Sequence, residues 1–114
     1  MIEIYHNNRC SKSRCTLDIL NDKAVEFKVV EYLKEAPSIE TIQSLLKKLN
    51  IPAHELIRKS EAIYIEKYKG KNLSETEWIQ AMHENPILIE RPIVINGDKA
   101  IIARPPEKAL ELFS

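Results

Sequence analysis

Residues 2–32 read IEIYHNNRCSKSRCTLDILNDKAVEFKVVEY, and this stretch decides the fold. Ile2-Glu3-Ile4-Tyr5 alternates in polarity and is apolar enough for a short strand. His6-Asn7-Asn8-Arg9-Cys10-Ser11-Lys12-Ser13-Arg14 contains no aliphatic residue, which directly after a strand reads as a loop. Leu17 and Leu20 then share a helical face, with Ile19 beside them, in a helix that ends near Asn21-Asp22. Phe27 to Tyr32 is β-branched and aromatic, a second strand. Strand, loop, helix and strand within roughly thirty residues make a βαβ unit, whose two strands run parallel.

Beyond this unit the pattern changes to helical. Pro37-Ser38 opens a helix whose Ile42, Leu45, Leu46 and Leu49 follow the i, i+3, i+4, i+7 spacing, and Asn50 closes it. Pro52 starts a short helix carrying Leu56 and Ile57, and Ile63 and Tyr64 mark another short segment before Lys69-Gly70-Lys71. Ser74 and Glu77 form a capping box, with Leu73 and Trp78 placed as its hydrophobic staple. That helix must stop at Asn85, because Pro86 follows. Residues 37–86 are expected to form a helical insert within a single domain, 1–114.

Strands return at Pro92 to Ile95 and Ala100 to Ala103, joined by Asn96-Gly97-Asp98, a hairpin signal. Arg104-Pro105-Pro106 breaks the last strand, and Glu107 to Phe113 is expected to form a helix with Leu110 and Phe113 inward. The fold class is therefore α/β: a βαβ unit and a ββα unit sharing a four-stranded mixed sheet, with an all-helical insertion.

Composition narrows the function. A chain of 114 residues with 44% hydrophobic and 30% charged residues supports one core and a polar surface. Lys plus Arg and Asp plus Glu are 17 each, so no global field draws in nucleic acid or an anionic membrane. Any anion must be held by a local cluster. The longest apolar runs, such as Pro86 to Ile89, are far shorter than a membrane span. Ile2 to Tyr5 at the start does not resemble a signal peptide, and the expected location is cytoplasmic. Two cysteines make no disulfide framework, and with three scattered histidines they make no zinc site. The expectation is no metal and no bound cofactor.

Cys10 is the candidate nucleophile. At or just before the helix N-terminus, unpaired backbone N–H groups and the positive end of the helix dipole favour thiolate over thiol. His6, Arg9, Lys12 and Arg14 add cationic or potentially cationic groups on both sides. Five residues along a helix rise about 7.5 Å and turn about 140° off its face, so Cys15 is badly placed as a disulfide partner. Ser13, at the i+3 position where a partner thiol would sit, cannot form a disulfide. Cys10 therefore needs an external thiol.

Arg91 and Arg104 flank the hairpin. A two-residue loop puts them on one face, directly opposed with Gly97-Asp98 as the loop and diagonal with Asn96-Gly97. Like charges opposed across a sheet are destabilising, and an anion between them would explain the placement. Two solvated arginines at strand ends explain it equally well, and a three-residue loop would separate their faces.

Taken together, His6-Asn7-x-x-Cys10-x-x-Ser13-Arg14, Leu56-Ile57-Arg58-Lys59, Pro86 to Val94 and Arg104-Pro105 resemble the glutaredoxin-dependent arsenate reductase family, from Ile2 to about Leu112. The resemblance implies a thioredoxin-like fold with a helical insertion. It implies that Cys10 attacks arsenic to form a covalent adduct, and that Arg58, Arg91 and Arg104 hold the oxyanion through planar guanidinium forks. It gives His6 a role in supporting the thiolate, makes Asn7, Ser13 and Arg14 part of the supporting loop, and makes Pro92 the proline before the third strand, typically cis. Glutathione then attacks as co-substrate and glutaredoxin resolves the mixed disulfide. The partners implied are arsenate, glutathione and glutaredoxin, with no nucleic acid and no membrane, for a monomer. The sequence departs from the family at Asn8, where proline is usual, and at Cys15, where a polar residue is common.

Two alternatives share the fold. A glutathione-dependent thiol–disulfide reductase would use Cys10 and an external thiol equally well, with the arginines on glutathione carboxylates. Thiol-sensing regulators that bind RNA polymerase have a similar first loop but typically carry Cys-x-x-Cys, where this chain has Ser13.

Overall fold

The computed structural model describes residues 2–7 and 10–113, with Phe113 described by its backbone alone. The chain divides into two compact units, Met1–Lys34 with Arg91–Ser114, and Glu35–Glu90.

The first unit is built on a four-stranded sheet in the order β2-β1-β3-β4. Its strands are β1 (Ile2–Tyr5), β2 (Phe27–Val30), β3 (Ile93–Asn96) and β4 (Lys99–Ile102). β1 pairs parallel with β2, as the βαβ reading requires, and antiparallel with β3, which pairs antiparallel with β4. Helix α1 (Ser11–Asp22) makes the crossover. Cross-strand partners share a face, so Ile4 and Val94 point the same way and Ile2 joins them. Leu20 of α1 and Ala109 of the C-terminal segment close over that face, forming a core with Ala103.

Three sequence expectations shift here. β2 ends at Val30, and Tyr32 is fully buried in the following turn, its ring stacked on Tyr5 with centroids 5.9 Å apart. The hairpin strands are each displaced by one residue, to Ile93–Asn96 and Lys99–Ile102. The C-terminal helix is a 3-10 helix over Pro106–Phe113, in which Leu110 faces outward. With three residues per turn, Ala109 and Leu112 fall on one stripe and face the core, and Leu110 rotates off it. The expected inward side chain of Phe113 lies outside the described residues.

The second unit contains α2 (Ile39–Leu49), α3 (Ala53–Leu56), α4 (Ala62–Lys67) and α5 (Glu75–Glu84). Ser38 caps α2 by accepting from the Thr41 N–H at 3.1 Å, and Asn50 ends it in the left-handed region at φ 57°. The capping box of α5 is present in both directions, Ser74 N–H to Glu77 at 3.0 Å and Glu77 N–H to Ser74 at 3.2 Å. Asn85 ends that helix and Pro86–Leu88 continues as one 3-10 turn. Ile57 does not extend α3 but pairs as an isolated antiparallel bridge with Ile89. His54 is exposed, but His83 is half-buried, its Nδ1 at 2.8 Å from the Pro37 carbonyl oxygen.

Candidate active site

Cys10 is the N-cap residue of α1, with extended backbone at φ −95° and ψ 119°. A mesh of short contacts holds the loop that carries it. The His6 N–H donates to the Val30 carbonyl at 3.0 Å, prolonging the parallel ladder by one step. The Cys10 N–H donates to the Asn7 carbonyl at 2.9 Å, and the Arg14 N–H to the Cys10 carbonyl at 3.2 Å. The buried Ser13 hydroxyl accepts from the Asn7 N–H at 3.3 Å, tying the first turn of the helix back to the strand exit. Thr16, also buried, donates its hydroxyl to the Lys12 carbonyl at 2.8 Å. His6 and Asn7 are buried. Asn8 and Arg9 lie outside the described residues.

Burial pushes the Cys10 thiol up, but other groups outweigh it and hold it below its ordinary value. These are the Ser13 N–H, the Arg91 guanidinium as a hydrogen-bond donor, the Lys12 N–H and the charge of Arg91. The side chain makes no cap hydrogen bond of standard geometry. The Lys12 and Ser13 donors are nonetheless the second and third N–H groups of the helix, those left without an intrahelical acceptor. No acidic residue sits in that first turn to oppose an anion. The cysteine is half-exposed, so the thiolate is both favoured and reachable.

The hairpin loop is Gly97-Asp98, because Asn96 pairs with Lys99. Gly97 has φ 62°, the conformation its first loop position needs. The Ala103 N–H donates to the Pro92 carbonyl at 2.9 Å, so the pairing runs on past β3 and β4 to the base of the hairpin. Counted on from that register Arg104 falls opposite Arg91, just beyond the last backbone bond of the pairing, where the Arg104 N–H turns back onto the Ile102 carbonyl at 2.9 Å. Their guanidiniums do not face each other, since Arg104 Nη1 donates to the Arg91 carbonyl oxygen at 2.9 Å while Arg91 reaches Cys10. Each arginine precedes a cis proline, Pro92 and Pro105.

The first unit therefore brings together Cys10, Ser13, Arg91 and Arg104. Arg14 is exposed on α1, and so is Cys15, a free thiol like Cys10. Arg58 belongs to the second unit, where its Nε lies 3.4 Å from Glu61 and its Nη1 3.4 Å from Glu90. Glu61 was legible as an i+3 partner of Arg58; Glu90 was not, since it depends on the pairing of Ile57 with Ile89. Among the described residues no group of three or more His, Cys, Asp or Glu is assembled that could hold a metal ion. No helix among them is long and apolar enough to cross a membrane.

A sequence model of the ArsC family matches residues 5–112. An arsenate reductase of Haemophilus influenzae is 44% identical over 112 residues, covering 96% of this chain and 97% of that protein. The Escherichia coli K12 protein YfgD, itself uncharacterized, is 49% identical over 113 residues, 97% of this chain and 95% of its own length. The solved structure of an arsenate reductase from Vibrio cholerae matches with a TM-score of 0.93 at 40% identity, covering 96% of this chain and 95% of that one.

Proposed function

This chain belongs to the ArsC family and has its thioredoxin-like fold, and from that premise we propose that it reduces arsenate to arsenite in the cytoplasm. The observation that carries the reading is Cys10 as the N-cap of α1, with the Ser13 and Lys12 N–H groups and the Arg91 guanidinium at its sulfur, which hold its pKa below the ordinary thiol value against the effect of burial. A thiolate held beside a guanidinium is a nucleophile next to an anion ligand, which is what attack on an oxyanion demands.

In the proposed reaction the Cys10 thiolate attacks arsenic. A sulfur–arsenic bond forms, and one arsenic–oxygen bond breaks, its oxygen leaving as water after protonation. Arg91 and Arg104 neutralise the oxyanion, with Arg58 assigned the same role on the resemblance alone. His6, Asn7, Ser13, Arg14 and Pro92 shape the loop and the strand entry that hold these groups. A glutathione thiolate then attacks the Cys10 sulfur. The electron pair of the sulfur–arsenic bond passes to arsenic, which leaves as arsenite, and Cys10 is left in a mixed disulfide. Glutaredoxin reduces that disulfide. The external route suits a chain with Ser13 where an internal resolving thiol would stand. We read the whole chain, with its helical insert at 37–86, as one functional domain acting as a monomer without a bound cofactor.

The test is arsenite production from arsenate with glutathione and glutaredoxin, beside Cys10→Ser. Activity that needs Cys10 and both thiol partners supports the proposal. No arsenite from a folded protein with a reactive Cys10 would keep the nucleophile and reject the substrate.

A further inference from the structure

We propose that Glu61 and Glu90 sheathe the Arg58 guanidinium and set how tightly the protein holds an oxyanion, by competing with it for that side chain. The inference rests on the reading of Arg58 as an oxyanion ligand.

The arrangement is built into the backbone of the second unit. The Arg58 N–H donates to the Leu88 carbonyl at 2.7 Å and the Glu90 N–H to the Leu56 carbonyl at 2.9 Å. These bonds flank the Ile57–Ile89 bridge, so Arg58, opposite Leu88, and Glu90, opposite Leu56, are diagonal neighbours on one face of a short antiparallel pairing. The Glu61 N–H donates to the Arg58 carbonyl at 3.2 Å, which brings the second carboxylate round by a turn. All three side chains are largely shielded, at 21%, 20% and 26% exposure for Arg58, Glu61 and Glu90. The pair Lys34–Glu31, at 76% and 48%, shows what an ordinary solvated contact looks like in this chain.

One cation faces two carboxylates here. A guanidinium grips a tetrahedral oxyanion through two neighbouring N–H donors. Glu61 is on Nε and Glu90 on Nη1, so each edge of the fork has one position facing a carboxylate. An incoming dianion must displace at least one of them or meet both at close range, where partial burial weakens screening. The contacts are loose enough for exchange: 3.4 Å is longer than the roughly 2.7–2.9 Å of a tight charge-assisted hydrogen bond. Phosphate has nearly the shape and charge of arsenate and meets the same barrier.

The experiment is calorimetric titration of inorganic phosphate into the full chain and into Glu61→Gln and Glu90→Gln. Each is made separately, with and without Arg58→Ala. Glutamine keeps the shape and removes the charge, and because the two variants are independent, one that folds is sufficient. Each is expected to bind phosphate about threefold to fivefold more tightly, with the gain abolished by Arg58→Ala. Unchanged or weaker binding in the glutamine variants, beside a weakened Arg58→Ala, overturns the sheath and leaves Arg58 as a ligand. Phosphate affinity unaltered by Arg58→Ala alone overturns the reading of Arg58 and the sheath with it.

Discussion

Arg104 donates from Nη1 to the backbone carbonyl of Arg91 at 2.9 Å, so the guanidinium of one arginine fixes the main chain of the other. The two residues lie at the open end of the hairpin that closes at Gly97-Asp98, where like charges brought close would normally repel. Division of labour removes the conflict: Arg91 reaches Cys10, and Arg104 spends one donor on Arg91 and retains the rest. The thiol, its guanidinium partner and the segment that leads from that partner into β3 are linked in series.

Arg104→Lys separates charge from geometry. Lysine keeps the cation but lacks the planar fork, so it cannot serve the Arg91 carbonyl and an oxyanion together. The expected result is a fall of about tenfold or more in kcat/KM for arsenate, with thermal stability nearly unchanged. Wild-type kinetics in this variant would mean that charge alone suffices at position 104.

Ser13→Ala tests the clasp between helix and loop. The Ser13 hydroxyl is fully buried and accepts from the Asn7 N–H, and its removal leaves that buried donor without this acceptor. A loss of about 1–3 kcal/mol in chemical denaturation is expected, with Ser13→Thr restoring part of it. Stability equal to wild type would show that the Ser13 hydroxyl is not needed to hold the loop.

Ser74→Ala addresses the second unit. Ser74 and Glu77 satisfy each other's backbone N–H, and substitution at such a cap costs about 1 kcal/mol. The Ser74 N–H and hydroxyl also hold the Glu77 carboxyl below its ordinary value. That contribution is present above the unfolded carboxylate pKa and is lost as pH falls through the lower folded value. In Ser74→Ala the Glu77 carboxyl should titrate nearer its ordinary value, read from its side-chain carbon shifts. An unmoved titration would assign the shift to the backbone N–H of residue 74, which alanine keeps.

The βαβ unit was legible because β1 alternates cleanly and the loop after it has no aliphatic residue, leaving one place for Cys10. The second strand was read too long, since Glu31-Tyr32 carry strand-like character locally. In the structure the Lys34 N–H closes a turn on the Glu31 carbonyl at 2.9 Å and the Tyr32 ring is buried against Tyr5. The outward Leu110 was missed because the large apolar residues Leu110 and Phe113 read as the inward stripe, whereas the core is met by the stripe of Ala109 and Leu112. At the site, Arg91 and Arg104 could be placed on one face only up to the choice of loop, and the Asn96–Lys99 pairing made that choice. Which atom each guanidinium touches depends on long-range packing that spacing does not encode.

Arg91→Ala joins the thiol to the hairpin most directly. Arg91 lowers the Cys10 pKa both as a hydrogen-bond donor and as a charge, while burial raises it and the Ser13 and Lys12 N–H groups lower it. In the wild type, the thiolate should form, and turnover rise, as pH increases through a value below the ordinary thiol range. The same shift gives a stability term that is full above the unfolded thiol pKa and is lost as pH falls through the folded one. Removing Arg91 takes away two lowering influences and leaves burial in place, so both profiles should move to higher pH. Thiolate absorbance in the ultraviolet, titrated on the folded protein, follows the shift without depending on any substrate. Loss of a charged hydrogen bond should also lower kcat/KM for arsenate by about tenfold to a hundredfold. A Cys10 titration that Arg91→Ala leaves in place would assign the thiolate to the helix N-terminus alone and reduce Arg91 to an anion ligand.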